Sequence, residues 1–425
     1  MQVNERTIAT LSGVGASTPA YVYDLDAIEA EAASLEEAFG AHAHGVFYAV
    51  KANSAGSIVR ALASRGVGAD VVTGAELLLA LACGVSPEMV VYSGVAKTDE
   101  ELDLAVSSGD RGIRSIQVES IEEIGRIDAR ARAAGRVARI AIRVNPGLDF
   151  EELATHAHVA TGHDEAKFGI ASADLDAALA AIGSAKSVAL VGISSHVGSQ
   201  FFRTAPYVAA ARVVCGLARS VRARFPLEFV DTGGGFGVDY AGGECAKPAD
   251  FVRETLTVLR DAGVSDLALH VEPGRALVAR HGVLLARVIQ RKVSPSSGQR
   301  WLMVDAGMND LIRPALYQAK HRVMAVAESG DGGTARVATA GSTKRSAWRV
   351  VGPCCESADD FGDHELPDDG FDHVALLDAG AYGYTMASRY NGRALASEVF
   401  LRGGAVASVS PRAPLGAWAE ERARV

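Results

Sequence analysis

The sequence predicts an α/β fold, a (β/α)8 barrel of the TIM type followed by a mostly β C-terminal domain. Three observations predict it. Short β-branched runs alternate with alanine-rich segments of helix length through residues 27–282. Polar and charged residues recur at the C-terminal end of each run, where such barrels keep their chemistry. From residue 283 the alanine runs become scarce, and strand-like segments separated by Gly, Asp and Pro dominate to residue 425. The strand within residues 1–26 is expected to join the second domain, because a barrel that starts with a helix leaves the first residues free.

Tyr21-Val22-Tyr23 is a strand after Pro19, and 24–39 reads as a helix through Leu25, Ile28, Leu35 and Phe39. The barrel strands follow at 46–50, 69–72, 89–92, 115–118, 140–144, 190–195, 227–230 and 267–271. About eight strands over about 230 residues fit a closed barrel better than the competing doubly wound sheet. The β domain offers strands at 283–289, 300–304, 336–339, 346–351, 373–377 and 398–401. The polar clusters at 328–333 and 365–370 read as separators between them.

Composition narrows the function. With 48 % hydrophobic and 22 % charged residues, the chain is an ordinary globular protein with a real core. A net charge of −9 argues against nucleic acid or an acidic membrane surface as partner. Five cysteines, an odd and sparse set, suit a reducing cytoplasm rather than a disulfide framework. No C-x-x-C spacing occurs, so no metal site is expected. Neither a signal peptide nor a stretch long enough to span a bilayer is expected.

The strand ends carry Lys51, Asp70, Ser93, Glu119, Arg143 with Asn145, His196, Asp231 and Glu272 with Arg275. Desolvating a lysine at the end of a buried strand favours its free amine, the form a Schiff-base lysine needs. A strand-end lysine reaching solvent is the bland alternative. Gly233-Gly234-Gly235-Phe236-Gly237 follows the seventh barrel strand and Glu272-Pro273-Gly274-Arg275 the eighth, the usual phosphate position of these barrels. The run is not a dinucleotide fingerprint, because Val238 stands at its sixth position. A tight turn is the commoner use of such glycines, and Arg275 tilts the reading to phosphate. Glu272 is either a surface ion pair or the partner of a cofactor ring nitrogen. His196 is either a satisfied buried histidine or a ring against a planar cofactor.

In the β domain, Gly352-Pro353-Cys354-Cys355-Glu356 places two adjacent thiols before a carboxylate. Neighbours in an extended segment face opposite ways, so one of the two can enter a site. Arg313-Pro314-Ala315-Leu316-Tyr317 supplies a cation and a phenol suited to a substrate carboxylate.

Together these motifs resemble the diaminopimelate decarboxylases, of the alanine-racemase-like fold type of pyridoxal-phosphate enzymes. The resemblance runs from about Pro19 to Phe400 through Tyr48-Ala49-Val50-Lys51-Ala52-Asn53, His196-Val197-Gly198-Ser199-Gln200, the glycine run, Glu272-Pro273-Gly274-Arg275, Arg313-Pro314-Ala315-Leu316-Tyr317, Cys355-Glu356-Ser357 and 378–382. It implies pyridoxal 5'-phosphate as cofactor, a small amino acid as substrate, and a homodimer with shared active sites. It implies that Lys51 carries the cofactor, His196 stacks on its ring and Glu272 pairs with its nitrogen. Gly235, Gly274, Arg275 and Tyr382 would hold the cofactor or its phosphate. Arg313, Tyr317 and Glu356 would grip the far end of the substrate, with Arg275 and Tyr382 also near it. Cys355, from the partner chain, would be the proton donor. The implied reaction converts meso-2,6-diaminopimelate to L-lysine and CO2. The alternatives are a same-fold decarboxylase of another basic or carrier-bound amino acid, and a non-catalytic homologue acting as a binding protein. The chain departs from the family pattern at Thr155-His156-Ala157-His158, at 161–168 and at Lys320.

Overall fold

The computed structural model describes residues 18–147, 167–327, 336–337 and 344–424. The departures at 155–158 and 161–166, the separator at 328–333 and the end of the 336–339 strand lie outside them. The chain divides into two compact units. One takes Glu29–Val238 and Glu244–Ala276, the other the residues up to Ile28, Asp239–Gly243 and those from Leu277 onward.

The first unit is a closed parallel barrel. Its strands are β2 (His44–Ala49), β3 (Gly68–Val71), β4 (Val90–Tyr92), β5 (Ser115–Val118), β6 (Ala138–Asn145), β8 (Val188–Ser194), β9 (Phe229–Asp231) and β10 (Ala268–Val271). The hydrogen-bonded order is β5-β4-β3-β2-β10-β9-β8-β6, and β5 pairs with β6 to close the ring. A two-residue strand, β7 (Ile170–Ala171), hangs beside the end of β6. The strands are buried on both faces, which explains their continuous apolar runs. Three of the helices between them start on a Ser or Thr cap. Thr73 and Ser120 accept from the amides of Glu76 and Glu123, and Thr98 forms a capping box with Glu101. The helix Pro248–Asp261 turns Phe251, Val252, Thr255, Val258 and Leu259 inward at helical spacing.

The second unit is built on one sheet. Its order is β14 (Arg336–Val337), β13 (Val323–Ala327), β17 (His373–Leu376), β11 (Gly282–Val293), β1 (Ala20–Asp24), β18 (Ser397–Arg402) and β19 (Ala405–Ser410). β12 (Arg300–Val304) joins β11 to β15 (Arg345–Val351), which pairs with β16 (Asp360–Pro367). The N-terminal strand β1 thus runs antiparallel to β11 and parallel to β18. Val22, Val283, Leu285, Val326, Ala375 and Val399 form the core of this sheet.

Besides the two-residue β7, three strands, all in this unit, escape the sequence pattern. β13 is short and half-buried, β16 carries exposed acids, Asp363 and Glu365, on either side of half-buried His364, and β19 is exposed throughout. The separator expected at 365–370 is corrected accordingly. Its first three residues, Glu365 to Pro367, end β16, where pairing with Arg345–Ala347 outweighs their turn composition. Among the described residues no helix is long and apolar enough to cross a membrane.

Candidate active site

The C-terminal ends of the barrel strands converge as expected. β2 runs into a single 3-10 turn, Val50–Ala52, whose outer residues are buried. That burial leaves Lys51 to point its side chain into the mouth. Lys51 Nζ donates to Asp70 Oδ2 at 2.9 Å, and Asp70 is wholly buried at the end of β3. The lysine side chain itself is 37 % exposed. The desolvation expected of Lys51 is therefore corrected: a buried carboxylate, more than burial of the amine, defines its surroundings. The turn is pinned by Tyr48, whose hydroxyl donates to Asn53 O, and by the Ala49 amide, which donates to Pro273 O. A side chain at Gly274 would meet the Cβ atoms of Ala49 and Ala52 at 3.0 Å, so the loop after β10 packs directly on this turn.

One cavity is lined by Lys51, Ser93, Gln117, Arg143, Ser194, Ser195, His196 and Glu272. Ser93 Oγ donates to Glu272 Oε1 at 3.4 Å. Arg143 is buried, paired with Glu119 at 2.9 Å, and donates to His196 O. His196 Nδ1 accepts from the Gly234 amide at 3.2 Å. Ser194 Oγ donates to Gln117 Oε1 at 2.6 Å, and Gln117 Nε2 approaches Asp231 Oδ2. Gln117 and Ser194 are additions to the expected set. A polar side chain at an inward position of a barrel strand is the signal that marks each.

The electrostatics divide sharply. Burial pushes Glu272 well above the usual carboxylate range, and the charges of Asp231 and Asp70 push it further. Burial also raises Asp231 to about 7, although the Gly233 amide donates to it. His196 is held far below its ordinary value by burial, then by the positive charges of Arg143 and Lys51. Burial therefore favours the neutral forms of both the imidazole and the Glu272 carboxyl in this cavity.

The glycine run lies on the loop after β9. A Cβ at Gly234 would strike the backbone carbonyl of Glu272, and one at Gly235, where φ is +94°, would strike that of Gly198. Among the described residues the amides of Gly235 and Phe236 donate to no protein acceptor, although Phe236 is buried. Adjacent unspent amides on a glycine loop suit a phosphate. Arg275 Nη2 reaches Ser199 Oγ at 3.3 Å nearby. With a partly exposed lysine, a buried carboxyl biased toward its protonated form and this loop, the residues fit pyridoxal phosphate.

The remaining expected residues belong to the β unit. Arg313 opens the short helix Arg313–Tyr317 and is buried. Its guanidinium lies 4.0 Å over the Tyr240 ring, and Nη1 meets His321 Nε2 at 2.8 Å. His321 Nδ1 is 2.8 Å from Leu377 O, so the ring donates there and accepts from Arg313. Tyr317, one turn on, is exposed. The loop after β15 separates its two thiols as expected. Cys354 is buried with Sγ 3.2 Å from Asn309 Oδ1, and burial raises its pKa. Cys355 is exposed, and Glu356 accepts from the Tyr390 hydroxyl. Tyr382 is half-buried with φ +55°.

Known proteins match this arrangement. The family described as "Pyridoxal-dependent decarboxylase, pyridoxal binding domain" matches residues 25–279. Diaminopimelate decarboxylase of Zymomonas mobilis is 37 % identical over 401 residues, covering 93 % of this chain and 90 % of its own. That of Archaeoglobus fulgidus is 38 % identical, covering 91 % and 88 %. The crystal structure of the Helicobacter pylori diaminopimelate decarboxylase complexed with L-lysine superposes with a TM-score of 0.86 at 35 % identity, covering 97 % of this chain and 99 % of that one.

Proposed function

The chain belongs to the diaminopimelate decarboxylases, pyridoxal-phosphate-dependent carboxy-lyases, and on that premise we propose that its barrel mouth turns meso-2,6-diaminopimelate into L-lysine and CO2. The observation that carries the reading is the single cavity that gathers Lys51, His196 and Glu272.

Bound pyridoxal phosphate supplies an electron sink for the pair left behind when CO2 departs. The residues do the rest. Lys51 carries the cofactor through Nζ, and Asp70 aims that atom beforehand. His196, neutral through burial, lies against the ring without adding charge. Glu272 holds a proton at its carboxyl and shares it with the ring nitrogen. Gly235, Gly274, Arg275 and Tyr382 hold the cofactor and its phosphate. Arg313, Tyr317 and Glu356 grip the distal amino-acid end of the substrate, with Arg275 and Tyr382 also in reach. That distal grip supplies remote binding energy for use at the reacting carbon. The protein acts as a homodimer, and Cys355 of the partner subunit returns a proton to the carbon that lost CO2. Five free thiols suit work in a reducing cytoplasm.

The test is a product assay on the cofactor-loaded protein. Diaminopimelate should yield lysine and CO2, while lysine, ornithine and arginine should yield little. Preference for any of these three over diaminopimelate would overturn the substrate assignment.

A further inference from the structure

At the opposite end of the barrel, before the N-termini of the strands, lies a second cavity. It is lined by Glu88 ahead of β4, Arg111 and Arg114 ahead of β5, Arg139 at the start of β6, and Glu228 ahead of β9. Three guanidiniums face one shared carboxylate. Arg139 Nη2 donates to Glu228 Oε2 at 2.6 Å, and Arg114 Nη1 stands 3.2 Å from the same oxygen. Arg139 Nε donates to the Arg114 carbonyl, which holds the two side chains together. Arg111 makes no hydrogen bond or ion pair among the described residues. Glu88 at the rim already accepts from the Ser86 hydroxyl.

Positive charge is thus in surplus in a concave place: three arginines stand against two glutamates. Burial disfavours the Arg114 cation, and Arg139 and Arg111 add repulsion against the pull of Glu228. This end of such a barrel ordinarily serves stability. A purely structural network, however, would match its charges, whereas this one sets three guanidiniums against two carboxylates, and Arg111 feels both glutamates without a hydrogen bond to either. Several guanidinium forks converging on one space fit an anion with acceptors in several directions better than a planar carboxylate.

We propose that this cavity binds a tetrahedral oxyanion, either inorganic phosphate or the phosphate of a monoester, at the end of the barrel opposite the catalytic cavity. Arg111 is its open arm. Arg114 and Arg139 form its fixed wall, and Glu228 both orients them and competes with the ligand.

The test uses protein loaded with pyridoxal phosphate, so that the cofactor's own phosphate position is filled. Equilibrium dialysis with labelled inorganic phosphate should saturate at one per chain, with the absorbance of the bound cofactor unchanged. Arg111→Gln should bind at least about tenfold more weakly, the loss expected of one charge-assisted hydrogen bond, with decarboxylase activity and thermal stability retained. Glu228→Gln should bind more tightly. A parallel arm with ribose 5-phosphate tells a free ion from an ester: binding of phosphate alone assigns a site closed around the ion, and binding of both an open rim. No saturable binding in either arm, unchanged binding in Arg111→Gln, or release of the cofactor on phosphate addition would each overturn the proposal. Arg111 is exposed, so its variant decides the matter even if Glu228→Gln fails to fold.

Discussion

In the barrel mouth Asp70, Asp231 and Glu272 are buried, and Lys51, Ser93 and the Gly233 amide are bonded to them. In the β unit Tyr317, Cys355 and Glu356 stand exposed, and of the expected residues there Arg313 is the one buried. The barrel group owes its electrostatics to being enclosed by its own chain. An exposed thiol and phenol have no such enclosure, so their chemistry depends on what covers them. That contrast is what a site shared between two subunits would produce.

The comparison can be broken most forcefully at Lys51. Lys51→Ala should lose roughly 10⁴-fold or more in turnover, as loss of a covalent anchor does. Borohydride reduction of the wild-type, cofactor-loaded protein should place the label on the Lys51 peptide. A label on another lysine would remove Lys51 from the centre of the mouth. Next comes Cys355, where Cys355→Ala should cost roughly 10²- to 10⁴-fold, the range of a positioned proton donor. Mixing it with Lys51→Ala under subunit exchange should restore about a quarter of wild-type sites, because about half of the dimers are mixed and each has one intact site. Continued inactivity despite exchange would place both residues in one subunit.

A smaller effect is expected at Arg313. Arg313→Lys keeps the charge but loses the planar fork, so its catalytic efficiency with diaminopimelate should fall about ten- to a hundredfold. Its residual activity on lysine should hardly change, and equal losses would mark Arg313 as a packing residue. The mildest test concerns pH. Asp231 keeps its proton up to about 7 when folded, against 3.8 ordinarily. The folded state therefore holds the extra proton between these values, and stability falls as pH rises through that window. Glu272 acts in the same direction. In the cofactor-free protein, Asp231→Asn should flatten the decline measured by urea unfolding from about pH 4 to about pH 7. An unchanged slope would assign the decline to other groups.

The barrel was legible because its strands are buried on both faces and so appear as unbroken β-branched runs. Ser115–Val118 is matched residue for residue, and the others differ at their ends by a residue or two. β16 and β19 were not, because one carries acids at its exposed positions and the other buries nothing. In the site, strand-end position was enough to single out Lys51, Asp70 and Glu272. It could not reveal that Asp70 holds Lys51, since partners 19 residues apart are set by the pairing of β2 with β3. Gln117 escaped for a related reason: it points inward from the middle of a strand, and a lone glutamine among apolar residues carries no distinctive chemistry.

The close approach of Gly234 to the carbonyl of Glu272 bears on how such a site could change over generations. The Glu272 amide also donates to Gly233 O, so the two loops are cast against each other at consecutive residues. A mutation that gave position 234 any side chain would displace the carboxylate proposed to govern the ring nitrogen. A mutation that shifted the Glu272 backbone would in turn deform the proposed phosphate loop. The two traits are inherited as one. A descendant adopting a different cofactor would have to recast both loops together, whereas the exposed residues of the β unit can be exchanged one at a time. Divergence in substrate should therefore accumulate in the β unit long before the barrel mouth alters its choice of cofactor.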